Sequence, residues 1–342
     1  MKKEFVTRLS ITIIIMEIAL FTMANHSVEA TNVNIIEELT EMELGEEQVI
    51  LQYDAETGQT TEINMDELKQ NINQMYRTRN TVVNIISAYE GEAKDVDIIT
   101  INNEEGTIQQ NNGVQSISEG VFHSVGDTSS YTNRATCRLR MFNSDGEEVI
   151  GSGYLAGPNL LVTCAHCVMD KEDNDFVYTQ WTAYPGYYPD NNDTDIGYCF
   201  GGVSGFSRYI YPSNWHSVEN DWCICILEND LGTLANAWLG SQAYGTNAEM
   251  DGLDVKALGY PTMPGYGIRQ MYTTGSLSGV TSNKFNTSSR IVKGMSGGPI
   301  VRASDENAIG ISGAFYSLMP ETGIGVRITQ TIIDLLLENW PT

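Results

Sequence analysis

An all-β fold of two packed barrels, closed by a C-terminal helix and preceded by a small α+β segment, is what this sequence predicts. Three observations carry the prediction. Short β-type runs recur from about Tyr131 onward between Gly, Asn and Asp turns. A single stretch at the end of the chain has helical apolar spacing. The segment before them differs in charge, in cysteine content and in patterning. Many short strands with regular turn signals are the signature of a β-sandwich or barrel.

The runs are Ala135 to Phe142, Val149 to Leu155, Leu160 to Thr163, Phe176 to Tyr184, Trp222 to Leu227, Val255 to Leu258, Arg269 to Leu277, Pro299 to Val301 and Ile309 to Phe315. At the end, Thr329 stands where a helix would be capped. Ile332, Ile333, Leu335, Leu336 and Leu337 give that helix an apolar face, and Pro341 lies just past it. Upstream, Val49 to Tyr53 and Thr60 to Met65 flank Asp54-Ala55-Glu56-Thr57-Gly58 as a hairpin. Asp66 to Tyr89 carries helical spacing through Leu68, Ile72, Met75 and Tyr76 and then Val82, Val83, Ile85 and Ile86. Asn102 to Gly106 and Gln109 to Gly113 read as a polar linker.

Charge divides the chain in the same place. Residues 31–120 hold 18 Asp and Glu against 4 Lys and Arg, a net of −14, and residues 121–342 hold 23 against 12, a net of −11. The chain total of −25 excludes an ordinary nucleic-acid or anionic-membrane partner. Lys2, Lys3 and Arg8, the apolar stretch Leu9 to Met23, and Val28-Glu29-Ala30 form a secretion signal over residues 1–30. The apolar run is shorter than the ~20 residues of a membrane span. This implies an extracellular protein with no span after signal removal. Residues 31–123 then read as an acidic propeptide, weakly structured or folded on a partner, and residues 124–342 as the working domain. An open stretch with Gly120, Ser124 and Gly126 places the start of the mature protein within Glu119 to Asp127.

All six cysteines, Cys137, Cys164, Cys167, Cys199, Cys223 and Cys225, lie in the C-terminal part. In an exported protein they read as disulfide partners of undetermined pairing. Cys223 and Cys225 alternate along one strand and face one side, where two free buried thiols are the alternative. Cys164-Ala165-His166-Cys167 lacks a second ligand pair at zinc spacing, and no metal or other cofactor is implied. The Asp190 to Gly197 stretch offers oxygen ligands for calcium but reads better as a solvated acidic turn.

Three motifs carry chemistry. In Gly294-Met295-Ser296-Gly297-Gly298-Pro299, glycines on both sides free the backbone around a serine. The Gly294 and Ser296 N–H groups can then point at a developing oxyanion. In Leu161-Val162-Thr163-Cys164-Ala165-His166-Cys167, an apolar strand ends on a histidine, the natural base near neutral pH. His166 and His216 are the only histidines well inside this region, and His216 sits in a polar loop. In Glu219-Asn220-Asp221-Trp222-Cys223, a carboxylate precedes an apolar strand, where it can orient an imidazole.

Taken together, in the order His, Asp, Ser, these motifs resemble the chymotrypsin-like serine proteases over residues 125–342. The resemblance implies two packed six-stranded β-barrels, with His166, Asp221 and Ser296 as base, orienting acid and nucleophile. It implies an oxyanion hole from the Gly294 and Ser296 amides. It further implies that Ser312 hydrogen-bonds the triad aspartate and that its strand, with Gly313, pairs with substrate. Arg208 to Trp215, the signal and the acidic propeptide look most like the secreted glutamyl endopeptidases of Gram-positive bacteria. Met295 replaces the aspartate that pairs with a new N-terminus in trypsin, so activation by that salt bridge is not expected. Residues 308–318 contain no histidine to read an acidic side chain, and Arg290 and Lys293 stand where the specificity pocket is lined. They read either as that pocket's cations or as surface charges. The implied partners are protein or peptide substrates and the protein's own propeptide. The rival readings are a catalytically silent binding or adhesion factor and an esterase or protease of very narrow specificity.

Overall fold

The computed structural model describes residues 48–79, 85–90, 96–100, 121–170, 176–178, 180–189, 196–262, 268–315 and 323–341. The signal segment, the polar linker and the Asp190 to Asp195 part of the acidic turn lie outside these residues. Residues 48–342 form one compact unit.

Two large sheets, beside three of two or three strands among the described residues, build the unit. In the first, Trp181–Pro185, Thr136–Phe142, Glu148–Leu155, Leu160–Thr163, Cys223–Leu227 and Phe206–Pro212 pair antiparallel in that order. A bridge between Ala183 and Ser204 draws the two ends of this series together. Outside Phe206–Pro212 the sheet continues through Ile50–Asp54 and Gln59–Glu62. In the second sheet, Pro299–Arg302, Asp254–Gly259, Met271–Ser278, Lys284–Thr287, Gly323–Arg327 and Ala308–Phe315 run antiparallel, and the last pairs back to the first. This is a closed six-stranded barrel, which leaves none of these six strands with an open edge.

Strands that bury both faces form where expected, whereas Phe206–Pro212, Lys284–Thr287 and Gly323–Arg327 lie outside the runs read from the sequence. Leu160–Thr163 and Cys223–Leu227 are buried at every residue, which is why they read as continuous apolar runs. One large core cluster joins the first barrel, the Gln330–Glu338 helix and several second-barrel residues such as Val301, Ile311 and Val326. A second cluster, with Phe285, Ile300 and Met295, fills the other barrel.

Three expectations change in the details. The run Phe176 to Tyr184 is two strands, Phe176–Val177 and Trp181–Pro185. The upstream helix is Met65–Arg79, and Ile85–Ile86 and Tyr89–Glu90 are strands. The reason is the β-branched run there: such side chains are stiff and suit a sheet, and Ser241 pairs with Ile86. Thr329 occupies the N-cap of the last helix but makes no side-chain capping bond.

None of the six cysteines is bridged, and all are buried. Cys223 and Cys225 do face one side, with sulfurs 4.0 Å apart. Same-face neighbours along one strand lie about 6.6 Å apart at Cα, near the upper end of the range a disulfide spans.

Candidate active site

The register of two neighbouring strands assembles the first half of the site. Thr163 lies opposite Cys223 and Val162 opposite Ile224. His166 follows Thr163 by three residues, in the 3-10 turn Ala165–Cys167. Asp221 precedes Cys223 by two, just after the 3-10 turn Val218–Asn220. Both therefore leave the sheet at the same end. The Asp221 Oδ2 lies 2.6 Å from His166 Nδ1, and the His166 backbone N–H donates to Oδ1 at 3.0 Å. The carboxylate thus holds both the ring and its backbone, fixing Nδ1 as the protonated nitrogen. Asp221 is 13% exposed and His166 34%, so the acid is shielded while the base reaches the cleft. Burial works against protonation of the imidazole, but the adjacent Asp221 charge and hydrogen bond outweigh it and hold the His166 pKa well above 6.5.

The second half is the loop 293–298, which packs on the first barrel. Gly294 and Gly297 have φ of 90° and 83°, in the left-handed region. A Cβ on Gly294 would run into the Tyr260 carbonyl, and one on Gly297 into Thr163 Oγ1 and the Ser152 carbonyl. Glycine is needed there for conformation and for space alike.

Successive carbonyls of this loop are tied down on its inner side. Thr262 N–H holds the Lys293 carbonyl at 2.9 Å, and the Ser152 hydroxyl holds that of Gly294 at 2.7 Å. Gly298 N–H holds that of Met295 at 2.9 Å, and Ser152 N–H holds that of Ser296 at 2.8 Å. A trans peptide points its N–H opposite its C=O. Anchoring the Lys293 and Met295 carbonyls therefore turns the Gly294 and Ser296 N–H groups the other way. That is the arrangement an anion-stabilising pair requires.

Ser152 is the functional residue the motifs did not single out. Its hydroxyl also accepts from Tyr260 N–H at 2.9 Å, and its carbonyl accepts from the Thr163 hydroxyl at 2.7 Å. It is fully buried and joins nucleophile loop, base strand and second barrel. The signal available was Gly151-Ser152-Gly153, three small residues inside a strand, which marks a close backbone approach.

The remaining site residues fall as follows. Gly297 N–H donates to the Ser312 carbonyl at 2.7 Å and Ser312 N–H to the Gly298 carbonyl at 2.8 Å, so the Ala308–Phe315 strand cradles the nucleophile loop. The Ser312 hydroxyl is buried without a hydrogen-bond partner and does not bond Asp221. This corrects the expectation: the backbone of Ser312 is held on both sides by the loop, and the Asp221 oxygens serve His166. Gly313 is skipped where the register to Gly323–Arg327 shifts between Ser312 and Ala314. Arg290 lies over the Phe122 ring at 5.5 Å, while Lys293 is exposed. His216 stacks on Trp215 with centroids 4.1 Å apart. Met295 is fully buried in the second core cluster. Cys164, His166 and Asp221 offer ligand atoms within 4.8 Å of one another. Those of His166 and Asp221 are committed to each other, and the Cys164 thiol donates to the Ser312 carbonyl at 3.2 Å. The set is thus a hydrogen-bonded pair beside a thiol.

Residues 151–311 match the family model described as trypsin-like peptidase domain. The chain is 26% identical over 227 residues to a glutamyl endopeptidase of Bacillus licheniformis, a match covering 63% of this chain and 66% of that one, just under two thirds of its length. Among solved structures, a Glu endopeptidase in complex with MPD superposes with a TM-score of 0.54 at 20% identity, covering 65% of this chain and 97% of that one. A thermostable serine protease, AL20, from an extremophilic microorganism gives 0.51 at 15% identity, covering 60% and 98%.

Proposed function

On the premise that this chain carries a trypsin-like peptidase domain, at residues 151–311, in a chymotrypsin-like fold, we propose that it is a secreted serine endopeptidase. The observation that carries the proposal is the pairing of a 2.6 Å His166–Asp221 contact with a serine loop whose carbonyls are anchored away from the Gly294 and Ser296 amides.

The reaction is peptide hydrolysis through an acyl-enzyme. His166 Nε2 takes the Ser296 hydroxyl proton as Oγ attacks the scissile carbonyl carbon. Asp221 keeps the other nitrogen protonated and stabilises the imidazolium. The carbonyl oxygen becomes an alkoxide held by the two amides, each such donor contributing roughly 3 kcal/mol in the transition state. The imidazolium then gives its proton to the leaving amine. Water repeats the cycle on the ester and frees Ser296. Substrate backbone adds as a strand along Gly313 to Phe315, the stretch beyond Ile311 where the pairing with Pro299–Arg302 stops. Lys293 and Arg290, just before the nucleophile, give the pocket a positive rim suited to an acidic side chain. Residues 1–30 direct export, and processing within 119–127 separates the acidic segment from the catalytic part.

Incubating processed protein and its Ser296→Ala variant with a mixed peptide library, and identifying cut bonds by mass spectrometry, tests the proposal. Cleavage by the wild type alone is expected, with acidic residues before the cut. Equal cleavage by both forms, or by neither, overturns the mechanism and favours a binding protein.

A further inference from the structure

We propose that residues 48–100 are a permanent complementing segment of the catalytic domain, retained without a covalent link after processing, and not an inhibitor that departs. The proposal rests on the processing step above but not on protease activity.

The segment completes other strands' hydrogen bonding at four places. Ile50–Asp54 pairs residue for residue with Arg208 to Pro212, the outer strand of the first sheet. Ile85–Ile86 pairs with Ser241–Gln242, Tyr89–Glu90 with Ala237–Trp238, and Val96–Thr100 with Ile196–Phe200. Removing it would strip partners from all four, and unpaired strand edges invite aggregation.

Its side chains belong to the core rather than lying on it. Ile50, Leu68, Ile72 and Ile86 are at most 5% exposed and sit in the same cluster as the first barrel and the C-terminal helix. Trp238 is covered by the Tyr89 ring at 4.4 Å and donates from Nε1 to the Ser87 carbonyl at 3.1 Å. An inhibitor has to cover the cleft. The edges this segment pairs with, and the helix it packs on, lie elsewhere than His166, Asp221 and Ser296. Where its described residues approach the triad they support it: the Gln48 amide donates at 2.7 Å to Asn220 Oδ1, on the residue before Asp221. Departure would therefore loosen the loop that carries the acid.

The test uses the full chain as Ser296→Ala, with a recognition sequence for a specific protease placed within residues 101–120. After cutting, gel filtration in high salt and native mass spectrometry read whether the fragments separate. Co-elution at one-to-one is expected, with release only in denaturant and together with loss of the near-UV circular dichroism. A small fragment eluting alone, while the large one keeps its near-UV signal, overturns the proposal. Ile72→Ala is expected to lower the urea midpoint of release, and an unchanged midpoint also counts against it. In cut enzyme with Ser296 intact, Gln48→Ala is expected to lower kcat several-fold with little change in KM, whereas an unchanged kcat contradicts the coupling to Asp221.

Discussion

Replacing Ser152 with alanine removes one oxygen that two backbone groups depend on. The hydroxyl is fully buried, accepts from Tyr260 N–H at 2.9 Å and donates to the Gly294 carbonyl at 2.7 Å. Leaving a buried polar group without a partner costs about 1–3 kcal/mol, so two such groups bound the loss at about 2–6 kcal/mol. At roughly 2–4 °C per kcal/mol in larger domains, the melting temperature falls by several degrees or more. The catalytic effect is separable. Freed from Ser152, the Gly294–Met295 peptide that links the two donor-bearing peptides loses its anchor on the carbonyl side, and loss of one oxyanion donor costs about 10²–10³ in kcat. Partial misalignment predicts a fall at the lower end of that range, with little change in KM, because the donor acts on the transition state. Steady-state kinetics on a cleaved peptide, paired with thermal unfolding, reads both. A folded Ser152→Ala protein with wild-type kcat would refute the role assigned to this residue. Ser152→Thr keeps the hydroxyl but is crowded, since a Cβ on neighbouring Gly259 would already lie 2.9 Å from that oxygen, so a partial rescue of kcat with reduced stability is expected.

Four further outcomes follow from the same geometry. Because the His166 pKa is held well above 6.5 by Asp221, kcat/KM rises with pH through a midpoint above that value. The matching sign for stability is that the imidazolium–carboxylate pair contributes fully below pH 6.5 and is lost as pH rises through the folded pKa, readable as a pH-dependent difference in unfolding free energy between wild type and His166→Ala. Asp221→Asn removes the main charge that opposes burial, so the acidic limb moves to lower pH while kcat falls about 10⁴-fold, and a pH–rate profile checks both. Gly297→Ala meets Thr163 Oγ1 and the Ser152 carbonyl at a φ of 83°, and is expected to abolish activity and lower the yield of folded protein, measured by circular dichroism.

How much of this was legible depends on where the information sits. Strands buried on both faces, such as Leu160–Thr163, announce themselves as apolar runs, and His166 and Asp221 stand out because they end two of them. Glycines 294 and 297 were legible because backbone strain restricts the choice of residue. Ser152 was legible only in part: Gly151-Ser152-Gly153 marks a close approach, but the residues approached lie more than a hundred positions away and the local pattern does not name them. Ser312 fails in the opposite sense: its position was legible, but the orientation of its hydroxyl is set by packing. The segment 48–100 looked separate because composition records charge, whereas its membership of the core rests on Ile50, Leu68, Ile72 and Ile86, a few apolar residues in an acidic stretch.

The central claim is that Ser296 is a nucleophile activated by His166 and Asp221. Covalent labelling by a fluorophosphonate tests it most directly, with the modified residue located by mass spectrometry. The account predicts one label per molecule, on Ser296, lost in His166→Ala and slowed in Asp221→Asn. A folded, processed protein that takes no label, or takes it equally without His166, would contradict it.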